Sequence, residues 1–176
     1  MKTKHLRSKT TYTAFIAASA DGKISLKTKT PPDWTSPEDW QFLQKSLATF
    51  DAVVVGRNTY QAAATRLRKR NAFVLSSRIK NTQKRGSVTF INPASTDLMA
   101  VLSAYKKVAV LGGGAVYQFM LEHRMIDEVF ITIEPIIFGR GKDMFSGGTK
   151  TNRLVLLSIK QLNKLGTLLI HYRVKK

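Results

Sequence analysis

Residues 107–122 read KVAVLGGGAVYQFMLE, and this stretch indicates the fold more strongly than any other. An apolar run from Lys107 to Leu111 leads into three consecutive glycines and then into a segment with helical spacing. A short, continuously apolar run is typical of a strand that is buried on both faces. Backbone N–H groups and the helix dipole at such a turn favour a phosphate, although glycine-rich turns also occur only for tight packing.

Similar apolar runs recur along the chain, and segments with helical spacing lie between them. The predicted strands cover residues 12–18, 52–56, 72–76, 87–91, 107–111, 128–134, 154–162 and 167–174. Helices are predicted after Ser36, from residue 58 or 59, over residues 96–105 and after residue 114. The first of these has the clearest start, with Ser36 as N-cap, Pro37 at the first helical position and the acidic Glu38 and Asp39 in the first turn.

Alternation of strands and helices predicts an α/β fold with a mostly parallel central sheet of about eight strands flanked by about four helices. Only a short turn around residues 163–166 separates the last two strands, so a C-terminal antiparallel hairpin is expected. No repeat or linker divides the 176 residues. We therefore expect a single domain over residues 1–176, in which residues 1–10 form a basic N-terminal tail.

The chain carries 29 Lys and Arg residues against 11 Asp and Glu residues, a formal net charge of +18. Such a charge attracts anions over a long range but does not identify them. Nucleic acid is one interpretation, and a solvated basic surface is the other. The cation-rich segment from Arg66 to Arg70 contains no aromatic residue, which disfavours nucleic acid as a partner.

Several classes of site are excluded or disfavoured by composition. The sequence has no cysteine, which excludes disulfides and thiolate metal sites, and its three histidines lie far apart. We expect no metal site. The uncharged run near the N-terminus is interpreted as a first strand rather than a secretion signal, and no run is long enough for a membrane helix. A cytoplasmic protein is expected.

Polar or basic groups follow three of the predicted parallel strands. Gly56-Arg57-Asn58-Thr59 follows one strand, Ser76-Ser77-Arg78 another, and the glycine turn at residues 112–114 a third. Each alone is more often a surface turn than a site. Because ligands of open α/β sheets bind at the carboxyl ends of strands, the three together predict a site for a phosphate-rich dinucleotide.

Three acidic residues are further candidates. Asp39 lies in the first turn of a predicted helix, on the same face as Leu43. Asp21, in Ala20-Asp21-Gly22, is interpreted as a turn former. Glu134, which precedes Pro135, is either a surface charge at a strand end or a pocket residue.

Taken in order, these motifs resemble the dihydrofolate reductase superfamily from about Tyr12 to Phe145. The family has a first strand and loop, a Trp and a Pro before an acidic helix, a Gly-Arg-x-Thr turn, a Leu-Ser-Ser strand end and a glycine turn followed by a Tyr. Here these are residues 17–24, Trp34 to Asp39, Gly56 to Thr59, Leu75 to Ser77, and Gly112 to Tyr117.

The resemblance implies roles for particular residues and NADPH as cofactor. Asp39 and Thr132 would be the catalytic pair at the amino-pyrimidine edge of the substrate. The other implied substrate contacts are Ile24, Leu43 and Arg70. The implied cofactor contacts are Ala17, Ile24, Gly56, Arg57, Asn58, Thr59, Ser76, Ser77, Arg78, Leu111, Gly112, Gly113, Gly114, Ala115, Val116 and Tyr117.

The implied reaction is NADPH-dependent reduction of 7,8-dihydrofolate or a related pterin by hydride transfer. A rival within the superfamily is the riboflavin-biosynthesis reductase, which acts on a ribosylated aminopyrimidine, because Ser19 to Ile24 and Pro135 to Gly139 resemble that family more. That family usually carries Glu-Gly-Gly at the glycine turn, where this chain has Leu111. A basic nucleic-acid-binding protein on a degenerate reductase fold is the third hypothesis.

Two expectations concern the form of the molecule. Residues 21–33, which contain Gly22 and Pro31-Pro32, are long for a connection and form either a lid over the site or a disordered insertion. The sequence is compatible with a monomer or a homodimer.

Overall fold

A computed structural model describes residues 10–26, 33–148 and 151–176 of the chain. The strands are β1 (Thr11–Ser19), β2 (Lys23–Ser25), β3 (Ala52–Gly56), β4 (Ala72–Leu75), β5 (Thr82–Arg85), β6 (Val88–Ile91), β7 (Lys107–Val110), β8 (Glu128–Glu134), β9 (Lys142–Asp143), β10 (Leu154–Gln161) and β11 (Leu168–Val174). The helices are α1 (Pro37–Leu47), α2 (Arg57–Leu67), α3 (Leu98–Leu102) and α4 (Gly114–Glu122). The expected basic tail lies outside the described residues, apart from Thr10.

Nine strands form one sheet in the order β10-β11-β8-β1-β7-β3-β4-β6-β5. The six strands from β8 to β6 in this order are parallel to one another. Strands β11 and β5 are antiparallel to β8 and β6, and β10 is antiparallel to β11. The predicted α/β class, its four helices and its C-terminal antiparallel hairpin are confirmed.

Three short strands are absent from the prediction. Strand β5 reads Thr-Gln-Lys-Arg, is exposed throughout and raises the main sheet from about eight strands to nine. Strands β2 and β9 form a separate two-stranded sheet. None of these segments carries the apolar run on which the prediction depends. The third helix is shorter than predicted and begins at Asp97, whose side chain accepts a hydrogen bond from the Ala100 N–H at 3.1 Å.

The sheet is covered on both faces, as the continuous apolar runs predict. Along β1, Ala14 and Ile16 point into one core, whereas Phe15 points into the other. The first core is closed by α3 and α4 through Leu102 and Met120. The second is closed by α1 and α2 through residues 47 and 67. In the described part of the chain, no helix is long and apolar enough to cross a membrane.

Candidate active site

The carboxyl ends of the central parallel strands open into a cavity of about 1100 Å³. Its walls come from the ends of β1, β3 and β4, from the turn after β7, and from helices α1, α2 and α4. Parallel strands place these ends at one edge of the sheet, which is where open α/β sheets bind ligands. The cavity is large enough to hold a ligand of the size of a dinucleotide with a second small molecule beside it.

Most of the residues proposed from the sequence lie on the wall of this cavity. They are Ala17, Ile24, Asp39, Leu43, Gly56, Arg57, Asn58, Thr59, Arg70, Ser76, Ser77, Leu111, Gly113, Gly114, Ala115, Val116 and Tyr117. Three others do not form the wall. Thr132 lies behind Asp39, Gly112 supports the glycine turn, and Arg78 is exposed, with its N–H donated to the Ser76 hydroxyl at 3.2 Å.

The glycine turn after β7 is held by close backbone contacts. Gly112 has a φ of +91°, and its carbonyl accepts the Gly56 N–H at 2.6 Å, which joins the turns after β7 and β3. A Cβ at position 112 would lie 2.8 Å from the Tyr117 ring. Only glycine combines that φ with that contact. The Gly112–Gly113 peptide is cis.

Tyr117 fixes α4 against the first strand. Its hydroxyl donates to the Phe15 carbonyl at 2.5 Å, and its side chain is buried. Burial first, and the nearby Asp39 carboxylate second, raise the pKa of Tyr117 above its ordinary value. The side chain is therefore a neutral phenol that acts as a donor at physiological pH.

Two helix N-termini face the cavity without a side-chain cap. Helix α2 begins after Gly56 and helix α4 after Gly113, and neither glycine offers a capping group. By contrast, α1 and α3 are capped by Ser36 and Asp97. N–H groups of a first helical turn that lack a protein acceptor form an anion site together with the helix dipole. The pair suits a ligand with more than one phosphate.

Asp39 is a buried carboxyl group on the cavity wall, in the first turn of α1. Its own N–H donates to the Ser36 hydroxyl at 3.3 Å, so the capped helix start fixes its position. Burial raises the pKa of Asp39 above its ordinary value, the Thr132 hydroxyl that donates to the carboxylate lowers it, and the charge of Glu134 raises it further. A carboxyl group of this kind binds and stabilises a cationic or hydrogen-bond-donating part of a ligand.

Glu134 proves to be buried, which the sequence left open. Its carboxylate accepts the Ser36 N–H at 2.7 Å and the Thr167 hydroxyl at 2.7 Å. Asn163 extends this network, since its amide donates to Thr167 at 3.0 Å and to Glu38 at 3.2 Å. The network joins the end of β8, the start of α1 and the turn between β10 and β11. Glu134 thus holds in place the helix turn that carries Asp39.

Basic side chains lie on the α2 side of the cavity. The Arg70 side chain lines the cavity, and its guanidinium donates a hydrogen bond to the Leu47 carbonyl at 2.7 Å. This bond anchors one end of the guanidinium. Arg66 lies 4.4 Å above the Trp40 ring, a cation–π contact. Arg66 and Trp40 also line the cavity. They were not predicted as site residues, because their contact joins two separate helices that the sequence alone does not bring together.

The segment after β1 is joined by hydrogen bonds to the segment after β8. The Asp21 carboxylate accepts hydrogen bonds from the Ser19 hydroxyl at 2.6 Å and from the N–H groups of Phe138 at 3.1 Å and Gly139 at 2.8 Å. The Ser19 hydroxyl first, and then the Phe138 N–H, lower the pKa of Asp21 to about 2. Residues 27–32 lie outside the described residues, so the choice for residues 21–33 between a lid and a disordered insertion stays open.

No group of three or more potential metal ligands occurs within the described ranges. The polar groups that the cavity presents include Asp39 with its hydrogen-bond partners and the N–H groups at the starts of α2 and α4.

Known proteins resemble this chain in sequence and in fold. The family model described as the RibD C-terminal domain matches residues 10–169. The protein YwjB of Bacillus subtilis (strain 168), described as uncharacterized, is 27% identical over 168 residues, which cover 90% of this chain and 94% of YwjB.

Two solved structures show the same fold. A diaminohydroxyphosphoribosylaminopyrimidine deaminase/5-amino-6-(5-phosphoribosylamino)uracil reductase from Thermotoga maritima has a TM-score of 0.70 at 19% identity, and the match covers 95% of this chain and 57% of that one. Dihydrofolate reductase from Enterococcus faecalis, complexed with NADP(H), has a TM-score of 0.67 at 22% identity and coverages of 96% and 99%. The predicted resemblance to the dihydrofolate reductase superfamily is confirmed at the level of the fold.

The glycine turn yields a first prediction. Replacing Gly112 with Ala forces a Cβ into the Tyr117 ring at an unfavourable φ, whereas Gly86 has a φ of +61° with nothing within 4 Å of its Cβ position. We expect Gly86→Ala to lower the free energy of unfolding by about 1 kcal/mol and Gly112→Ala to lower it by about 1–3 kcal/mol more. Urea unfolding measures both. Equal losses in the two variants would show that the Tyr117 contact exerts no strain.

Asp39 yields a second prediction, on stability and pH. Because its pKa is raised in the folded state, its contribution to stability is present below the ordinary value of 3.8 and is lost as pH rises through the raised pKa. Asp39→Asn should therefore unfold at higher urea concentration than the wild type at pH 7, and this advantage should shrink toward pH 4. Asp33→Asn, an exposed residue on the same wall, should show no such gain. An Asp39→Asn variant less stable than wild type at pH 7 would contradict the burial argument.

Proposed function

The chain belongs to the RibD C-terminal domain family, and on this premise we propose that it is an NADPH-dependent reductase of a phosphoribosylated aminopyrimidine. The observation that carries the proposal is the position of Asp39. This carboxyl group is buried in the same cavity that two uncapped helix N-termini face. One part of the cavity thus suits phosphates, and another suits a polar heterocycle.

The residues present fit NADPH. The N–H groups at the starts of α2 and α4 suit the pyrophosphate, and no Cβ at residues 112–114 obstructs its approach. Arg57, Ser76 and Ser77 line the cavity after β3 and β4, where a guanidinium and two hydroxyls suit a 2′-phosphate. Ala17, Ile24 and Tyr117 would surround the nicotinamide. When bound, the nicotinamide supplies a hydride to the substrate.

Asp39 would orient the substrate and stabilise its protonated form. When the sugar ring of a phosphoribosylamine opens, the sugar carbon forms a C=N bond to the amino nitrogen. Reduction of that bond adds a hydride to the carbon and a proton to the nitrogen, so positive charge on that nitrogen favours the reaction. A carboxylate beside the nitrogen stabilises this charge, and the low polarity of a buried site strengthens the interaction. The Thr132 hydroxyl holds the Asp39 carboxylate in place, and water is the expected source of the proton.

Arg70 and Arg66 would bind the phosphate of the substrate. Arg70 is anchored at the Leu47 carbonyl with the rest of its guanidinium available on the wall, and Arg66 stacks on Trp40 beside it. A guanidinium suits a phosphate through paired hydrogen bonds. In a folate reductase the same arginine would bind a glutamate tail, so Arg70 alone does not separate the two substrates.

The family match favours the pyrimidine over dihydrofolate. The RibD C-terminal domain model covers most of the chain, and the Thermotoga maritima protein of the same fold is described as a reductase of a phosphoribosylaminouracil. Dihydrofolate is the second candidate, because Asp39 and Thr132 are hydrogen-bonded as the dihydrofolate reductase resemblance implies.

The test follows NADPH absorbance with 5-amino-6-(5-phosphoribosylamino)uracil in one cuvette and dihydrofolate in another. We expect oxidation in the first, and we expect Asp39→Asn to lower kcat about 10²-fold or more with little change in NADPH affinity. Glu122→Gln is the matched control, since Glu122 is a carboxylate at the end of α4 that does not line the cavity.

Two results would contradict the proposal. Oxidation only with dihydrofolate would move the assignment to the second candidate. Full activity of Asp39→Asn with either substrate would remove Asp39 from the mechanism.

A further inference from the structure

A second cavity, of about 330 Å³, lies at the opposite edge of the main sheet from the candidate active site. This outer cavity is bounded by the amino ends of β3, β4 and β6 and by the turn that follows α2. Its volume is within the range of small-molecule sites. The polar residues that line it are Asp51, Arg68, Lys69, Arg70, Asn71 and Ser87.

The outer cavity carries positive charge that no carboxylate neutralises. Residues 68–70 read Arg-Lys-Arg, and none of the three forms an ion pair within the described part of the chain. The carboxylate of Asp51, the acidic residue of the lining, accepts the N–H groups of Lys106 at 3.0 Å and Lys107 at 2.9 Å. Cationic side chains without a counterion in a concave site attract an anion.

Hydrogen bonds fix the turn that carries these cations. The N–H groups of residues 68–70 donate to carbonyls in the last turn of α2, at 2.9, 3.2 and 3.1 Å. The Ser87 hydroxyl donates to the Arg68 carbonyl at 2.5 Å. These bonds occupy carbonyl groups at the negative end of the helix, where unpaired carbonyls would disfavour an anion. The turn thus presents its cationic side chains from a fixed backbone.

Arg70 lines both the outer cavity and the active-site cavity. Helix α2 leads from the carboxyl end of β3 to the amino end of β4, so the turn after it lies between the two cavities. A guanidinium has five N–H donors, and one nitrogen of Arg70 donates to the Leu47 carbonyl at 2.7 Å. The remaining donors can bond to an anion on either side, but each donor bonds well to only one anion at a time.

From this arrangement we propose that the outer cavity binds a small phosphate-bearing anion, which lowers the affinity of the active site for its phosphorylated substrate. The second part rests on the proposed function, in which Arg70 binds the substrate phosphate. An anion in the outer cavity takes N–H donors of Arg70 and repels a second phosphate beside the same side chain. The coupling is reciprocal, so bound substrate weakens binding in the outer cavity by the same factor.

Isothermal titration calorimetry in about 0.1 M NaCl tests the outer site directly, with inorganic pyrophosphate and ribose 5-phosphate as probes. We expect Lys69→Gln and Arg68→Gln each to weaken binding of the tighter probe at least about five-fold. Lys160→Gln is the matched control, because it removes the same charge but lies on β10 and lines neither cavity. The tighter probe shows whether the site takes an inorganic anion or a sugar phosphate.

Steady-state kinetics at saturating NADPH tests the coupling. We expect the tighter probe to raise KM for the phosphoribosylated aminopyrimidine at least about five-fold and to leave kcat unchanged. Lys69→Gln should lose most of this rise, because Lys69 lines only the outer cavity. Lys160→Gln should retain it. A probe that competes inside the active site would raise KM equally in both variants.

Three results would overturn the proposal. Equal probe binding by Lys69→Gln and Lys160→Gln would remove the outer site. A KM rise that persists in Lys69→Gln, or a KM that the bound probe leaves unchanged, would remove the coupling. Absence of turnover with the aminopyrimidine would remove the coupling together with the proposed function, whereas calorimetry would still decide whether the outer cavity binds an anion. Far-UV circular dichroism shows whether each variant is folded.

Discussion

The parallel arrangement of six adjacent strands is the constraint on which the site depends. Parallel strands end at one edge of the sheet, so the turns after β1, β3, β4 and β7 meet there although they are far apart in sequence. Two of these turns lead into helices that begin at glycine, and the Gly56 N–H binds the Gly112 carbonyl between them. The same topology that satisfies the backbone of the core thus places two uncapped helix starts side by side.

The buried carboxyl group of Asp39 lowers the stability of this fold. Asp39 loses solvation where it lies, and the Thr132 hydroxyl compensates only in part, as the direction of its pKa shift shows. The surrounding network limits the freedom of the group, since Glu134 fixes Ser36, and Ser36 caps the helix turn that carries Asp39. Such an arrangement is typical of an active site, where a group is held ready for a ligand at the expense of stability.

Local patterns predicted much of the fold and of the site, because many contacts follow from the order of strands and turns. The cap at Ser36 placed Asp39, and the apolar runs placed the parallel strands. Strand β5 escaped prediction because it pairs without an apolar side chain. The burial of Glu134 depends on Thr167, 33 residues away. The apolar run of β10 predicted a strand, but the exposure of its side chains depends on what covers the edge of the sheet.

The discrimination between NADPH and NADH tests the central claim most directly, since the 2′-phosphate is the only difference between them. Quenching of intrinsic fluorescence on titration with each dinucleotide measures their affinities. If Arg57, Ser76 and Ser77 form the 2′-phosphate site, NADPH binds at least about ten-fold more tightly than NADH, a difference of about 1.4 kcal/mol. Equal affinities, or no binding of either dinucleotide, would contradict the account of the cavity.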